Sequence, residues 1–130
     1  VQYAKDVGVA EHVVFCGYQD NPYKYMREAD VFVLSSKFEG FGNVIVEAMA
    51  LGVPVVASDC PSGPSEIIQH GINGYLTAPG DVDALCAAVL HLLLEREDSA
   101  KLAAAGRRRA EDFRLEHMVC ASEKVLSAVF

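Results

Sequence analysis

Positive charge is scarce in this chain: eleven Lys and Arg stand against eighteen Asp and Glu, leaving a net charge of -7. A surface that neutralises phosphodiester backbones needs the opposite balance, which excludes nucleic acid as the main partner. Long apolar runs are also missing. The longest, 84–94, has eleven residues with His91 among them, well short of the roughly 20 that span a bilayer. The N-terminus lacks the basic-then-apolar order of a secretion signal. The four cysteines, Cys16, Cys60, Cys86 and Cys120, form no CxxC pair and no Cys/His cluster at metal-ligand spacing. They are expected to be small hydrophobes of a reduced interior, with Cys60 set apart by its place in a loop. No GxSxG elbow marks a serine hydrolase. There is no internal repeat, no low-complexity linker and no initiator Met. The opening VQYAKDVGV has the character of the later part of a helix ending at Gly8, as expected of a fragment of something longer.

What is present suffices for one domain over residues 1–130. Hydrophobic residues make up 52% of the 130 against 22% charged, enough for a packed core and too much for a disordered chain. Short β-branched runs at Val13–Cys16, Val31–Leu34, Val53–Ala57 and Tyr75–Thr77 are predicted strands. Helices are predicted between them. Asn21 and Pro22 open one that ends near Ala29; Asn43–Leu51 is stopped by Gly52; Pro64–Gln69 is stopped by Gly71. Asp81 caps a longer helix with Val82, Leu85, Val89, Leu92 and Leu93 on one face. Two more are predicted at Ser99–Phe113 and Leu115–Val129, with Arg107, Arg108 and Arg109 expected on a solvated face or docked to an acidic neighbour.

Strand–helix alternation with crossovers of about a dozen residues or more calls for an α/β fold with a parallel sheet and flanking helices. Ligands of such sheets sit beyond the carboxyl ends of the strands. The loop after Val31–Leu34 is SSKFEGFGN and runs straight into a helix. Gly40 and Gly42 flank Phe41 there, so backbone N–H groups can approach an anion beside a helix N-terminus, a cradle suited to phosphate. Glu39 precedes the cradle, and Glu47 lies about one turn inside the helix. A carboxylate beside a diphosphate would repel it, so Glu47 is better used on hydroxyls, as in the acidic grip on a ribose. Glu39 is nearer any group transferred from that phosphate. A solvated Glu39 and a dipole-favoured Glu47 fit the spacing equally well. The loop SDCPSGPSEII offers a turn shaped by Gly63 and two prolines, with Ser65 and Glu66 opening a helix; Asn73-Gly74 marks a tight turn, and His70 is expected to cap it.

The stretch NPYKYMREADVFVLSSKFEGFGNVIVEAMALGVPVVASDCPSGPSEIIQHGINGYLTAPGD resembles the C-terminal, nucleotide-sugar-binding domain of the family 4 retaining glycosyltransferases, which have the GT-B fold. The match includes the family's E-x7-E signature at Glu39 and Glu47, with EGFG inside it and GINGYL following. The resemblance implies a partial Rossmann-like C-terminal domain of that fold. It implies that Glu39 lies at the donor sugar and reaction centre, that Gly40, Phe41, Gly42 and Asn43 contact sugar and diphosphate through the backbone, and that Glu47 holds ribose hydroxyls. Gly17, Tyr18 and Gln19 resemble the loop that touches the nucleobase, with Lys24 nearby.

Family members place the acceptor mostly on an N-terminal domain, which is absent from this sequence, as are the Arg and Lys that hold the donor diphosphate. The expected partners are therefore a nucleotide-sugar donor and the missing acceptor domain, with self-association through an exposed sheet edge a further expectation. The implied reaction is hexosyl transfer from a nucleoside diphosphate sugar to a hydroxyl acceptor with retention, without metal or other cofactor. The variant SDCPSGPSE resembles those of bacterial glycan-assembly enzymes and favours a UDP-sugar. The implied location is the cytoplasm, with the parent at the cytoplasmic membrane face. Two other readings stand beside this one: a glycoside hydrolase using Glu39 and Glu47 as its carboxylate pair, and a non-catalytic nucleotide-binding or interaction half-domain.

Overall fold

Three of the apolar runs become strands because each finds a neighbour. In the computed structural model, which describes residues 1–114 together with Glu116, His117, Val119, Glu123, Lys124 and Ser127, β1 (Phe32–Leu34), β2 (Val55–Ser58) and β3 (Tyr75–Thr77) form a parallel sheet in the order β1-β2-β3. Val56 pairs with Val33 on one side and Tyr75 on the other. All four residues of β2 are buried, as a central strand covered on both faces requires.

The fourth predicted strand, Val13–Cys16, is corrected. Val13 has extended backbone, but the segment pairs with nothing among the described residues, and Val14 is 84% exposed. β-branched residues favour extended backbone; a strand also needs a partner for its N–H and C=O groups.

The helices cover the two faces of the sheet. The described chain begins with α1 (Gln2–Asp6), a 3-10 turn at Ala10–His12 and α2 (Tyr23–Met26). Next come α3 (Asn43–Ala50) and α4 (Pro64–Ile67), then α5 (Val82–Leu94) and α6 (Arg96–Glu111). One core joins Val55 and Ala57 to Ile45, Ala48 and Met49 of α3, Ile67 and Ile68, and Ala110 of α6. The other joins Val56 to Leu92 of α5 and Leu102 of α6. The side-chain alternation of β2 thus divides the two cores.

Element ends differ from expectation for local reasons. α2 stops three residues before Ala29, where Glu28 and Ala29 donate to Tyr25 and Met26 in tighter i to i−3 bonds. α4 stops at Ile67 because the buried Asn73 takes the Gln69 N–H at 2.8 Å and donates to the Ile67 carbonyl at 3.3 Å. α5 opens at Asp81 as expected, its carboxylate accepting from Ala84 N at 2.9 Å. Of the expected α5 face, Leu92 is buried and Leu85 and Val89 half-buried, whereas Val82 in the first turn is 72% exposed and Leu93 is exposed. α6 begins three residues earlier than Ser99. The helix expected at Leu115–Val129 falls largely outside the described residues, as does Cys120.

Candidate functional site

A parallel sheet delivers its strand ends, and the loops that follow them, to one edge. Residues 35–42 leave β1, 59–63 leave β2 and 78–81 leave β3. The first of these carries Glu39. It contains no regular structure, and residues 36–41 make no loop or turn backbone–backbone hydrogen bond. Glu39 is half-buried, and Ser36 Oγ donates to its Oε1 at 2.6 Å, a short charge-assisted bond.

Gly42 ends the loop at φ 87°, ψ 46°, the left-handed region that glycine enters without steric cost. It precedes α3 directly and, lacking a side chain, leaves the first amides of that helix uncapped. An anion is the natural complement to such a start. Asn43 is exposed at its first position and Glu47 is half-exposed one turn later, on the same side of the helix by the i, i+4 rule. Ile45, Ala48 and Met49 face the core. Phe41 turns its ring inward against Phe113, edge-on with centroids 5.6 Å apart, so its backbone rather than its ring is what the loop can offer a ligand. Gly40 is exposed with open space around it.

A second loop supports the first. Ser62 has φ 69°, the left-handed region in a residue that bears a side chain, and its Oγ lies 3.0 Å from the Glu39 carbonyl oxygen. Gly63 is pressed against the Phe41 backbone, where a Cβ would stand 2.5 Å from the carbonyl oxygen. Glu66 Oε1 accepts from Gly63 N at 3.1 Å, holding the turn to the start of α4. Glu66 and Pro64 therefore act as the helix start expected of them, and Ser65 is exposed. Sequence reasoning missed Ser36 and Ser62. The Ser-x-x-Glu spacing was a usable signal for the first; nothing local marks the second, which meets Glu39 across 23 residues.

The loop resembling the nucleobase contact is held by bonds of its own. Gly17 is left-handed at φ 59° and Tyr18 is 89% exposed. Gln19 donates to the Cys16 carbonyl at 2.7 Å and accepts from Tyr25 Oη at 3.2 Å, so its amide serves the loop itself. Lys24 sits 4.8 Å over the Tyr25 ring. These four residues form one patch at the start of α2, and no hydrogen bond among the described residues joins it to Glu39 or α3.

Of the arginine cluster, Arg107 and Arg108 are exposed, as expected of a solvated face, and Arg109 is corrected from it to a half-buried position. Arg109 donates to the carbonyls of Glu66 at 2.7 Å and Ile67 at 3.1 Å, pairs with Asp112 at 2.9 Å and lies over the Phe113 ring. Arg107 donates to the Leu51 carbonyl at 3.1 Å. Both donate to backbone acceptors at helix ends. Two of the cysteines are corrected too. Cys60 is buried despite its loop, while Cys16 and Cys86 are exposed: one lies in the unpaired extended segment and the other on the outer face of α5. His70 caps as expected, its Nδ1 accepting from Leu76 N at 3.0 Å on the free edge of β3. Among the described residues no three His, Cys, Asp or Glu are grouped to hold a metal ion, and no helix is long and apolar enough to cross a membrane.

Known proteins resemble this chain in sequence and fold. The chain is 36% identical over 85 residues to the lipopolysaccharide 1,6-galactosyltransferase of Salmonella typhimurium, covering 62% of this chain and 24% of that protein. It is 34% identical over 126 residues to the N-acetyl-alpha-D-glucosaminyl L-malate synthase of Bacillus anthracis, covering 96% of this chain and 33% of that protein. The Anabaena HepE protein in complex with UDP superposes with a TM-score of 0.85 at 29% identity, covering 98% of this chain and 35% of that one; it has also been solved with UDP-glucose. The chain thus spans about a quarter to a third of these relatives. The fold, a three-stranded parallel sheet with flanking helices, matches GT-B glycosyltransferase structures. Residues 1–98 match the family pattern described as glycosyl transferases group 1, and this chain belongs to that family.

Proposed function

We propose that this chain is the donor-binding part of a family 4 retaining glycosyltransferase, one that moves a hexosyl group from a nucleoside diphosphate sugar to a hydroxyl acceptor in glycan or polysaccharide synthesis. The observation that carries the reading is the Glu39–Gly42 loop feeding the uncapped start of α3, with Glu47 one turn inside. The diphosphate lies on the amides of Gly40 to Asn43. Glu47 accepts hydrogen bonds from ribose hydroxyls, and Glu39 faces the sugar. The patch of Gly17, Tyr18, Gln19 and Lys24 borders the base, with Tyr18 the exposed ring available to stack on it. The UDP and UDP-glucose complexes of HepE support uracil as that base.

In the reaction the anomeric carbon–oxygen bond to the diphosphate breaks and the nucleoside diphosphate leaves with the electron pair. The acceptor oxygen bonds the anomeric carbon on the same face, and its proton passes to the leaving phosphate oxygen. Charge grows on the phosphate as this happens, so amides fixed in advance at the helix start stabilise the transition state more than the ground state. The scheme calls for no metal and no cofactor beyond the donor. Acceptor recognition belongs to the part of such enzymes that lies outside this chain.

The test is a ligand-observed NMR titration with UDP, GDP and ADP, repeated on Glu47→Ala. Saturation by UDP, weakened about tenfold or more in the variant, is the expected result, since a charged hydrogen-bond acceptor to two hydroxyls is lost. A glycoside hydrolase has no use for nucleotide, so equal indifference to all three would remove the donor-site reading.

A further inference from the structure

Glu39 stands in a loop with little of its own to hold it. Lys37, Phe38 and Gly40 around it are exposed, and the segment 36–41 has no loop or turn backbone–backbone hydrogen bond. Such a segment is expected to sample many conformations, each costing affinity when one must be selected. Two serine hydroxyls oppose this. Ser36 Oγ holds one carboxylate oxygen, Oε1, at 2.6 Å and leaves Oε2 without a hydrogen bond among the described residues. Ser62 Oγ reaches the Glu39 carbonyl oxygen at 3.0 Å, sharing its single proton with the Pro61 carbonyl at 2.5 Å. One fixes the side chain and the other the main chain of the same residue.

The backbone of Ser62 carries an independent mark of this task. It is the one non-glycine residue at positive φ among the described residues, a conformation that persists only where the surroundings impose it. Here the surroundings are the Gly63 contact with Phe41 and the Glu66 bond to Gly63 N.

We infer that Ser36 and Ser62 are positioning residues that pre-set the Glu39 carboxylate toward the donor sugar, Ser36 by gripping Oε1 and Ser62 by tethering the Glu39 carbonyl. The inference rests on the donor-site reading for what Glu39 faces, and on the hydrogen bonds alone for how it is held. Because only the sugar meets Glu39, the two serines should affect a nucleotide sugar and leave the bare nucleotide alone.

The test uses the full 130-residue chain, isotope-labelled, as the native sequence and as Ser36→Ala, Ser36→Thr and Ser62→Gly, the last removing the hydroxyl while suiting the backbone. UDP and UDP-glucose are titrated separately, and backbone amide order parameters are measured by NMR relaxation at residues 38–41 without ligand. Ser36→Ala should weaken UDP-glucose about 5- to 10-fold and UDP less than about 2-fold, with Ser36→Thr recovering most of the loss. In a Glu39→Ala background Ser36→Ala should have a much smaller effect. Ser62→Gly should lower the order parameters of Glu39 and Gly40 and lower UDP-glucose affinity in the same direction. Native order parameters and a native UDP-glucose to UDP ratio in both variants would overturn the inference, as would equal weakening of the two ligands. If the native chain bound neither ligand, the donor-site reading would fall, and the order parameters would decide by themselves whether the serines hold Glu39.

Discussion

The substitution Gly63→Ala asks how much of the site depends on one missing side chain. At φ 90°, ψ −77° Gly63 occupies a backbone region near the rare γ-turn with positive φ. An added methyl would stand 2.5 Å from the Phe41 carbonyl oxygen and 2.8 Å from its carbon, so one of the two loops must move by nearly 1 Å. Backbone strain costs an alanine about 1–2 kcal/mol, offset by roughly 0.4–1 kcal/mol from the stiffer unfolded chain. Crowding of a packed contact adds about 1–3 kcal/mol. Gly80→Ala is the comparison, because Gly80 has φ 83° with open space where its Cβ would go. Urea unfolding should give a loss of about 1 kcal/mol for Gly80→Ala and about 2–4 kcal/mol for Gly63→Ala. The amide resonances of Gly40 and Phe41 should shift in the second variant and stay put in the first. Equal losses, with an unmoved Phe41, would refute the claim that the 61–63 turn bears on the Glu39 loop.

Arg109→Ala should cost about 1.5–3 kcal/mol in the same unfolding assay, because two backbone acceptors lose a charged donor; Arg109→Lys should recover less than half, since an ammonium lacks the planar fork that reaches both. Asp81→Ala removes the cap of α5 and should lower stability by about 1 kcal/mol, read as a lower Tm. Lys101→Ala should change stability by less than about 0.5 kcal/mol, because its pairing with Glu97 is fully on the surface. Maleimide labelling mapped by peptide mass should modify Cys16 and Cys86 in the folded chain and reach Cys60 only on unfolding.

The parts of the fold that were legible in the sequence are those written in local chemistry. Val53 to Ala57 reads as a strand covered on both faces because apolar β-branched residues sit between a helix stop at Gly52 and a polar turn, and the observed strand, Val55–Ser58, lies within a residue or two of it. Asp81 announces the helix it precedes by its carboxylate. The loop of Glu39 and the first turns of α3 were placed correctly at the carboxyl edge, since strand and helix periods fix where such a loop must emerge. Val13–Cys16 failed because pairing is not a property of a segment. Arg109 was misplaced for a related reason: a basic residue on an exposed helix and one that caps a helix two helices away have the same local sequence. Arg109 meets Ile67 across 42 residues, and no window of the chain contains both.

The same long-range contacts explain why an irregular loop can serve as a site. Arg109 and Phe113 are four residues apart at the end of α6, so they project from one side of the chain. The first donates to the end carbonyls of α4 and the second receives the ring of Phe41. α4 in turn fixes Gly63 through Glu66, and Gly63 abuts Phe41 from the other direction. The backbone of Phe41 is therefore gripped from two sides, with its ring in the core and its carbonyl against the turn. Freedom is left at Gly40 and at the Glu39 oxygen that has no hydrogen bond among the described residues, the two places where the proposed donor would enter. Rigidity around the site and openness within it have separate origins in the sequence: half-buried aromatics and arginine for the one, glycine and a half-satisfied carboxylate for the other.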